Sequence, residues 1–112
     1  MTAQKIKKSD WEAFCSAVSH ALEGSRAEIE VASLALGSQI ETSWAPLIGI
    51  TYDANDDIFD IALEETDHIV NEPKELIADV DDVAVNALEI TDAEGTHHVV
   101  KLRDPLMLPA AH

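Results

Sequence analysis

"YDANDDIFDIALEE", residues 52–65, decides how this chain is read. Asp53, Asn55, Asp57 and Glu64 fall at positions 1, 3, 5 and 12 of a twelve-residue frame, the ligand spacing of a helix–loop–helix calcium site. Such a loop needs glycine at its sixth position for the sharp turn, and Ile58 stands there. Its eighth position, normally apolar, holds Asp60. The segment before it, "APLIGITY", carries Pro46, Gly49 and a period of two, so it cannot be the incoming helix. A hairpin accounts for more of the residues. Asp53, Asn55 and Asp56 are turn formers. Phe59, Ile61 and Leu63 would then face inward, and Asp60 and Ala62 outward. A loose, weak ion site among Asp53, Asn55 and Asp57 is the ligand-binding alternative.

Upstream, Ser9 and Glu12 have the S-x-x-E spacing of a capping box. Trp11, Phe14, Cys15, Val18 and Leu22 recur at helical spacing, and Gly24 is a natural stop. Residues 10–23 are therefore expected as one amphipathic helix. Beyond it the period changes to two. "AEIEVASLAL", residues 39–44, "LIGITY", "IFDIAL", "KELIADV", "VAVNALEIT" and "HHVVKL" read as strands, with Pro46 breaking one of them and "EETDHIVNEP" as a linker. "DAEG" marks a hairpin turn. Gly49, inside a strand, signals a bulge or a close backbone approach. With no strand–helix–strand unit, a parallel sheet is not expected.

The expected fold is α+β: one domain over residues 1–112, with an N-terminal helix and then six or seven short antiparallel strands over about residues 26–103. The strands would form a bent sheet or small open barrel, with the helix over an open end or face and an extended tail over 104–112.

The charge is uneven. Asp and Glu number 22 against 7 Lys and Arg, a net of −15. From Asp53 to Glu94 there are fifteen acids and one base, Lys74. Such a surface repels phosphate backbones, so nucleic-acid binding is not expected. No apolar run is long enough to cross a bilayer, and no apolar stretch of signal-peptide type follows the basic start. The expectation is a cytoplasmic protein with no membrane partner. One cysteine, Cys15, excludes an internal disulfide and a cysteine-based zinc site.

Catalytic constellations are sparse. There is no G-x-S-x-G, phosphate loop or dinucleotide fingerprint. Cys15 lies on the apolar helix stripe, where burial makes a thiol inert. His97 and His98 are strand neighbours and point to opposite faces, His98 sharing its face with Val100 and Leu102. Asp67 and His68 are the best adjacent acid–base pair, within the linker. Trp44 is read either as core, the favoured reading, or as an exposed contact residue. No catalytic residue, metal or cofactor is assigned. The contact candidates are Asp53, Asn55, Asp56, Asp57, Asp67, His68 and Trp44.

"SDWEAF", "EG", "GSQIE", "GITYDANDD", "DH", "LEITDAEGT" and "KLRDPLMLP", in that order, resemble the bacterial domain-of-unknown-function family 5335 over nearly the whole chain. None of these blocks is a catalytic signature. Ser25 stands where members tend to carry an aromatic. The resemblance implies a compact bacterial domain without known activity or cofactor, and brings no active-site residue. The leading expectation is thus a non-enzymatic acidic module acting through protein contacts, homodimerisation included. The alternative is a small-ligand or metal domain in which Asp53, Asp57, Asp67 and His68 converge. If the acids are instead an adaptation to salt, thermal stability should rise steeply with added salt, and a flat response removes that reading.

Overall fold

The computed structural model describes residues 2–22, 25–33, 35, 37–64, 66–80 and 85–103. The expected helix stop at Gly24 and the extended tail over 104–112 lie outside them. The elements run β1 (Thr2–Ile6), a 3-10 turn (Lys8–Asp10), α1 (Trp11–Leu22), β2 (Arg26–Ser33), β3 (Gly37–Asp53), β4 (Ile58–Leu63), β5 (Asp67–Asn71), β6 (Pro73–Val80), β7 (Val85–Asp92) and β8 (His97–Arg103). The eight strands among the described residues form one sheet in the order β1-β6-β7-β8-β2-β3-β4-β5. Every pairing is antiparallel. The expected α+β architecture holds, and the sheet does not close.

One junction makes the sheet roll up. β5 is an edge strand, β6 lies next to the other edge, and only Glu72 separates them in the chain. Two Cα steps span at most about 7.6 Å, so those ends of the sheet must meet. Glu72 turns the corner at φ 50°, and its N–H donates to the Asp57 carbonyl at 3.0 Å.

The interior follows from the two-residue period. Ile50, Tyr52, Phe59, Ile61, Leu63 and Val70 face inward from β3, β4 and β5. Ala27, Ile29, Val100, Leu102, Leu88, Ile90, Leu76 and Ala78 do so from β2, β8, β7 and β6. The helix adds Trp11, Cys15 and Val18, the expected stripe. Trp11, Tyr52 and Phe59 meet with ring centroids 5.0–5.1 Å apart, within the range of favourable aromatic pairs. The Trp11 indole N–H donates to the Ile6 carbonyl at 2.9 Å, tying the helix start to the end of β1.

β3 changes partner halfway along. Its first half pairs with β2 and its second with β4. The hinge is at Trp44–Pro46, where Trp44 has φ 50°. Pro46, expected to break the strand, is accommodated inside it. Having no N–H, it gives the ladder nothing to miss, and its carbonyl accepts from Glu64 N–H at 3.1 Å. The switch leaves the second half of β3 with an open edge. α1 closes it: Ser19 Oγ donates to the Ile50 carbonyl at 2.7 Å and accepts from the Ile50 N–H at 2.8 Å. Gly49 lies under this contact, where an added Cβ would sit 3.5 Å from Ser19 Oγ, an ordinary packing distance. The register shift between Leu47 and Gly49 is the expected bulge, and it turns Ile48 to solvent at 59% exposure.

Three readings need correction. Residues 2–6, where β1 lies, carry no expected element, and β5 falls in the expected linker, so the described residues hold eight strands and not six or seven. Both are edge strands that bury little: in β5 only Val70 is buried. Ser9 falls inside the 3-10 turn, whose N-cap is Lys7 with no side-chain cap bond, and the helix begins at Trp11. Among the described residues no helix is long and apolar enough to cross a membrane.

Replacing Ser19 by Ala strips both backbone groups of the buried Ile50 of their partner. The expected loss is about 1–3 kcal/mol, read as a lower urea midpoint at unchanged slope. Ser16→Ala, on the exposed side of the same helix, should stay within about 0.5 kcal/mol of the parent.

Candidate functional site

The hairpin tip holds four of the candidate residues and uses them internally. Asp53 Oδ1 accepts the backbone N–H of Asn55 at 2.9 Å and of Asp56 at 3.3 Å, a side-chain-stabilised turn. Asp57, at φ 54°, accepts the Tyr52 hydroxyl at 2.6 Å and lies 3.4 Å from Lys8 Nζ. The Tyr52 bond and the Lys8 charge hold the Asp57 carboxyl below its ordinary pKa. Burial first, and then Asp57, push the Tyr52 phenol up to about 12. Lys8, Ser9, Glu12, Tyr52, Ala54 and Asp57 line a groove of about 670 Å³ beside the tip. Asn55 and Asp56 are exposed. Of the groups lining the groove, Tyr52, Asp57 and Lys8 already engage one another.

β5 separates the other two. His68 pairs with the buried Ile61 and so faces the interior. Asp67 pairs with Ala62 on the outer face. The two are neighbours in the chain and form no dyad. Asp67 is also about 13 Å along the strands from the tip at 3.3 Å per residue, since it is level with Ala62 and the tip adjoins Ile58. Asp53, Asp57, Asp67 and His68 therefore do not converge. Among the described residues no three His, Cys, Asp or Glu side chains are grouped to hold a metal ion.

Each half of the expected dyad has a different partner. Outside, Asp67 meets Asp60 on the next strand. Burial, then the Asp67 carboxyl, raises the Asp60 pKa, and Asp60 Oδ1 is a buried oxygen with no partner. Inside, His68 Nε2 lies 2.9 Å from His98 Nδ1, and His98 Nε2 lies 3.0 Å from Asp92 Oδ2. Asp92 Oδ1 accepts the N–H groups of Glu94 and Thr96 at 2.9 and 3.0 Å, holding the β7–β8 turn. Burial raises the Asp92 pKa, but the bonds from His98 and the two amides outweigh it, and the carboxyl stays below its ordinary value. Burial, and next the charge of His98, lower the His68 pKa against a smaller opposing pull from Glu41. His98 is 8% exposed, as its place beside Val100 and Leu102 implied. The alternation of the β7–β8 hairpin turns His98 inward. Its meeting with His68 across the sheet left no local signal.

Trp44 is not in the core. It is half-buried at the hinge of β3, with the Arg103 guanidinium 4.2 Å from its ring centroid and Arg26 Nη1 donating to its carbonyl at 3.2 Å. Cys15 is 2% exposed, and burial pushes its thiol up to about 12, so it is inert as expected. His97 lies 3.2 Å from Glu89 on the outer face.

The model of a family of unknown function, DUF5335, matches residues 2–111. The chain belongs to this family. An uncharacterised protein of Aquifex aeolicus (strain VF5) is 33% identical over 110 residues, which cover 97% of this chain and 99% of that one. No solved structure matches. Membership agrees with the resemblance carried by "GITYDANDD" and "LEITDAEGT" and adds no assigned activity.

The raised pKa of Asp60 gives a signed prediction. A carboxyl that binds its proton more tightly when folded makes the folded state lose stability as pH rises through the unfolded value, about 3.9. Asp60→Asn should therefore raise the melting temperature at pH 7, and the gain should vanish near pH 3. Equal gains at both pH values would show that the carboxylate charge is not the cause.

Proposed function

We propose that this chain is a non-enzymatic protein-interaction module whose β5 edge takes a basic, extended segment of another protein as an added strand. The free edge of β5 carries the reading. Among the described strands β5 pairs with β4 alone. Ile50 turns its N–H and C=O away from β4 toward Ser19, so by alternation Ile61 turns its own toward β5. His68 and Val70 then bond back to β4, and Ile69 presents its N–H and C=O to the open side. The Ile69 side chain is 39% exposed.

Charge selects the occupant. Glu64, Asp67 and Glu72 are exposed along and beside β5, and the first base beyond them is Lys74. A second copy docking edge to edge would bring these acids against their own kind, which costs free energy at low salt. A basic strand would gain main-chain hydrogen bonds from the edge and attraction from the acids. The same acids keep the free edge from self-pairing. The groove beside Tyr52 and Asp57 offers a small ligand less, because Asp57 is already engaged by Tyr52 and Lys8.

A fluorescein-labelled ten-residue peptide of alternating Lys and Val serves as the probe. Titration with it should raise anisotropy, slow hydrogen exchange at the Ile69 amide, and weaken with salt. Ile69→Pro removes an N–H that no described strand uses and should abolish the exchange effect. Binding that leaves the Ile69 amide unprotected, or that Ile69→Pro does not alter, would overturn the assignment to β5. So would light scattering that finds β5 already occupied in a dimer.

A further inference from the structure

The interior array Asp92–His98–His68 does work that neither the core nor the free edge requires. It joins three strands, β7, β8 and β5, and is the polar link from the edge strand to the middle of the sheet. The bond pattern fixes its protons. Asp92 is a carboxylate that already accepts two backbone N–H groups, so His98 Nε2 must donate to it. In the neutral array His98 Nδ1 is then an acceptor, and His68 Nε2 must carry the hydrogen between the rings.

From this follows a count of protons. One added proton is accommodated. On His68 Nδ1 it leaves Nε2–H still donating to His98. If it sits on His98, Nδ1–H donates to His68 Nε2 and the direction simply reverses. A second proton has no place: both ring nitrogens, 2.9 Å apart, would carry hydrogens pointed at each other.

We propose that Asp92, His98 and His68 form a proton-operated latch, which holds β5 against the body of the sheet with zero or one added proton and releases it with two. The groups facing it are few. Asp92, from the end of β7, accepts from His98 Nε2. Glu41, from β3, supports charge on His68. Asp67 and Asp60 lie on the opposite face of β5 and β4, and His97 and Glu89 on the outer face of β8 and β7. Release belongs below the ordinary histidine value of about 6.5, because burial and the charge of His98 hold His68 lower. The sign agrees: the unfolded chain binds more protons at His68 than the folded one, so stability falls as pH drops below that value.

The device concerns the position of β5 in the free chain and needs no partner, so its test stands apart from that of the binding edge. With the histidine rings labelled with nitrogen-15, a coupling across the hydrogen bond between His68 Nε2 and His98 Nδ1 should be present at pH 8. It should be lost on acidification in the same step in which the His68 and Val70 amides lose at least about tenfold of their exchange protection, corrected for intrinsic rate (one pK unit of coupling). His68→Phe should make that protection independent of pH between 8 and 5. Asp92→Asn keeps an oxygen for the turn amides and removes the anion. It should move the pH at which β5 loses its protection downward. Protection at His68 and Val70 that stays constant in the parent chain while the rings titrate, or that falls equally in His68→Phe, would overturn the latch.

Discussion

The fold depends on β3 changing partners. Its first half belongs to β2 and its second to β4, and a strand that switches in this way leaves backbone groups unpaired on each side of the hinge. Unpaired main-chain groups beside a core are costly. Ser19 meets that cost at Ile50 with a single hydroxyl acting as donor and acceptor at once, as a neighbouring strand would. That contact fixes α1 along β3, and α1 in turn carries Trp11 into Tyr52 and Phe59. The helix is thus a cover for an edge as much as a donor of apolar surface.

The roll of the sheet has a separate cause, the single-residue junction at Glu72. A flat sheet would hold β5 and β6 many strand widths apart, at about 4.8 Å per strand, farther than one residue reaches. The junction also brings the hairpin tip beside it, through the bond from Glu72 N–H to the Asp57 carbonyl. Asp57 therefore serves three contacts: its backbone holds the corner, and its carboxylate takes the Tyr52 hydroxyl and the Lys8 charge. The acid spacing that imitates a calcium loop is the spacing of a turn that fastens the sheet corner to the helix start.

What the sequence made legible was whatever one residue period could carry. The apolar stripe of α1 and the alternation in "IFDIAL" and "HHVVKL" each lie within one element and bury one face, so the pattern is written in consecutive residues. The edge strands escaped for the same reason. β1 and β5 bury little, and a strand with little to bury has no strong period to display. Trp44 was misread because its backbone enters the left-handed region at the hinge, which turns the ring to Arg103 of β8, a placement set by the strand switch and not by local alternation. The corner at Glu72 was illegible because its neighbours, Asn71 and Pro73, read as ordinary linker residues.

His68 shows the limit most sharply. In sequence its nearest acid is Asp67, and adjacency suggested a pair. In a strand adjacency is what separates two side chains, because the pleat sends neighbours to opposite faces. Asp67 is left outside against the Asp60 carboxyl, whose pKa burial and that contact raise. His68 is left inside against another imidazole, whose own partner is an anion anchored by two amides. Like groups therefore meet on both faces of the same short strand, and each meeting restricts how many protons it can hold. A sheet edge with little apolar burial to fix it is in this way held by polar pairs whose strength depends on their protonation, and its position becomes a property of pH as well as of packing.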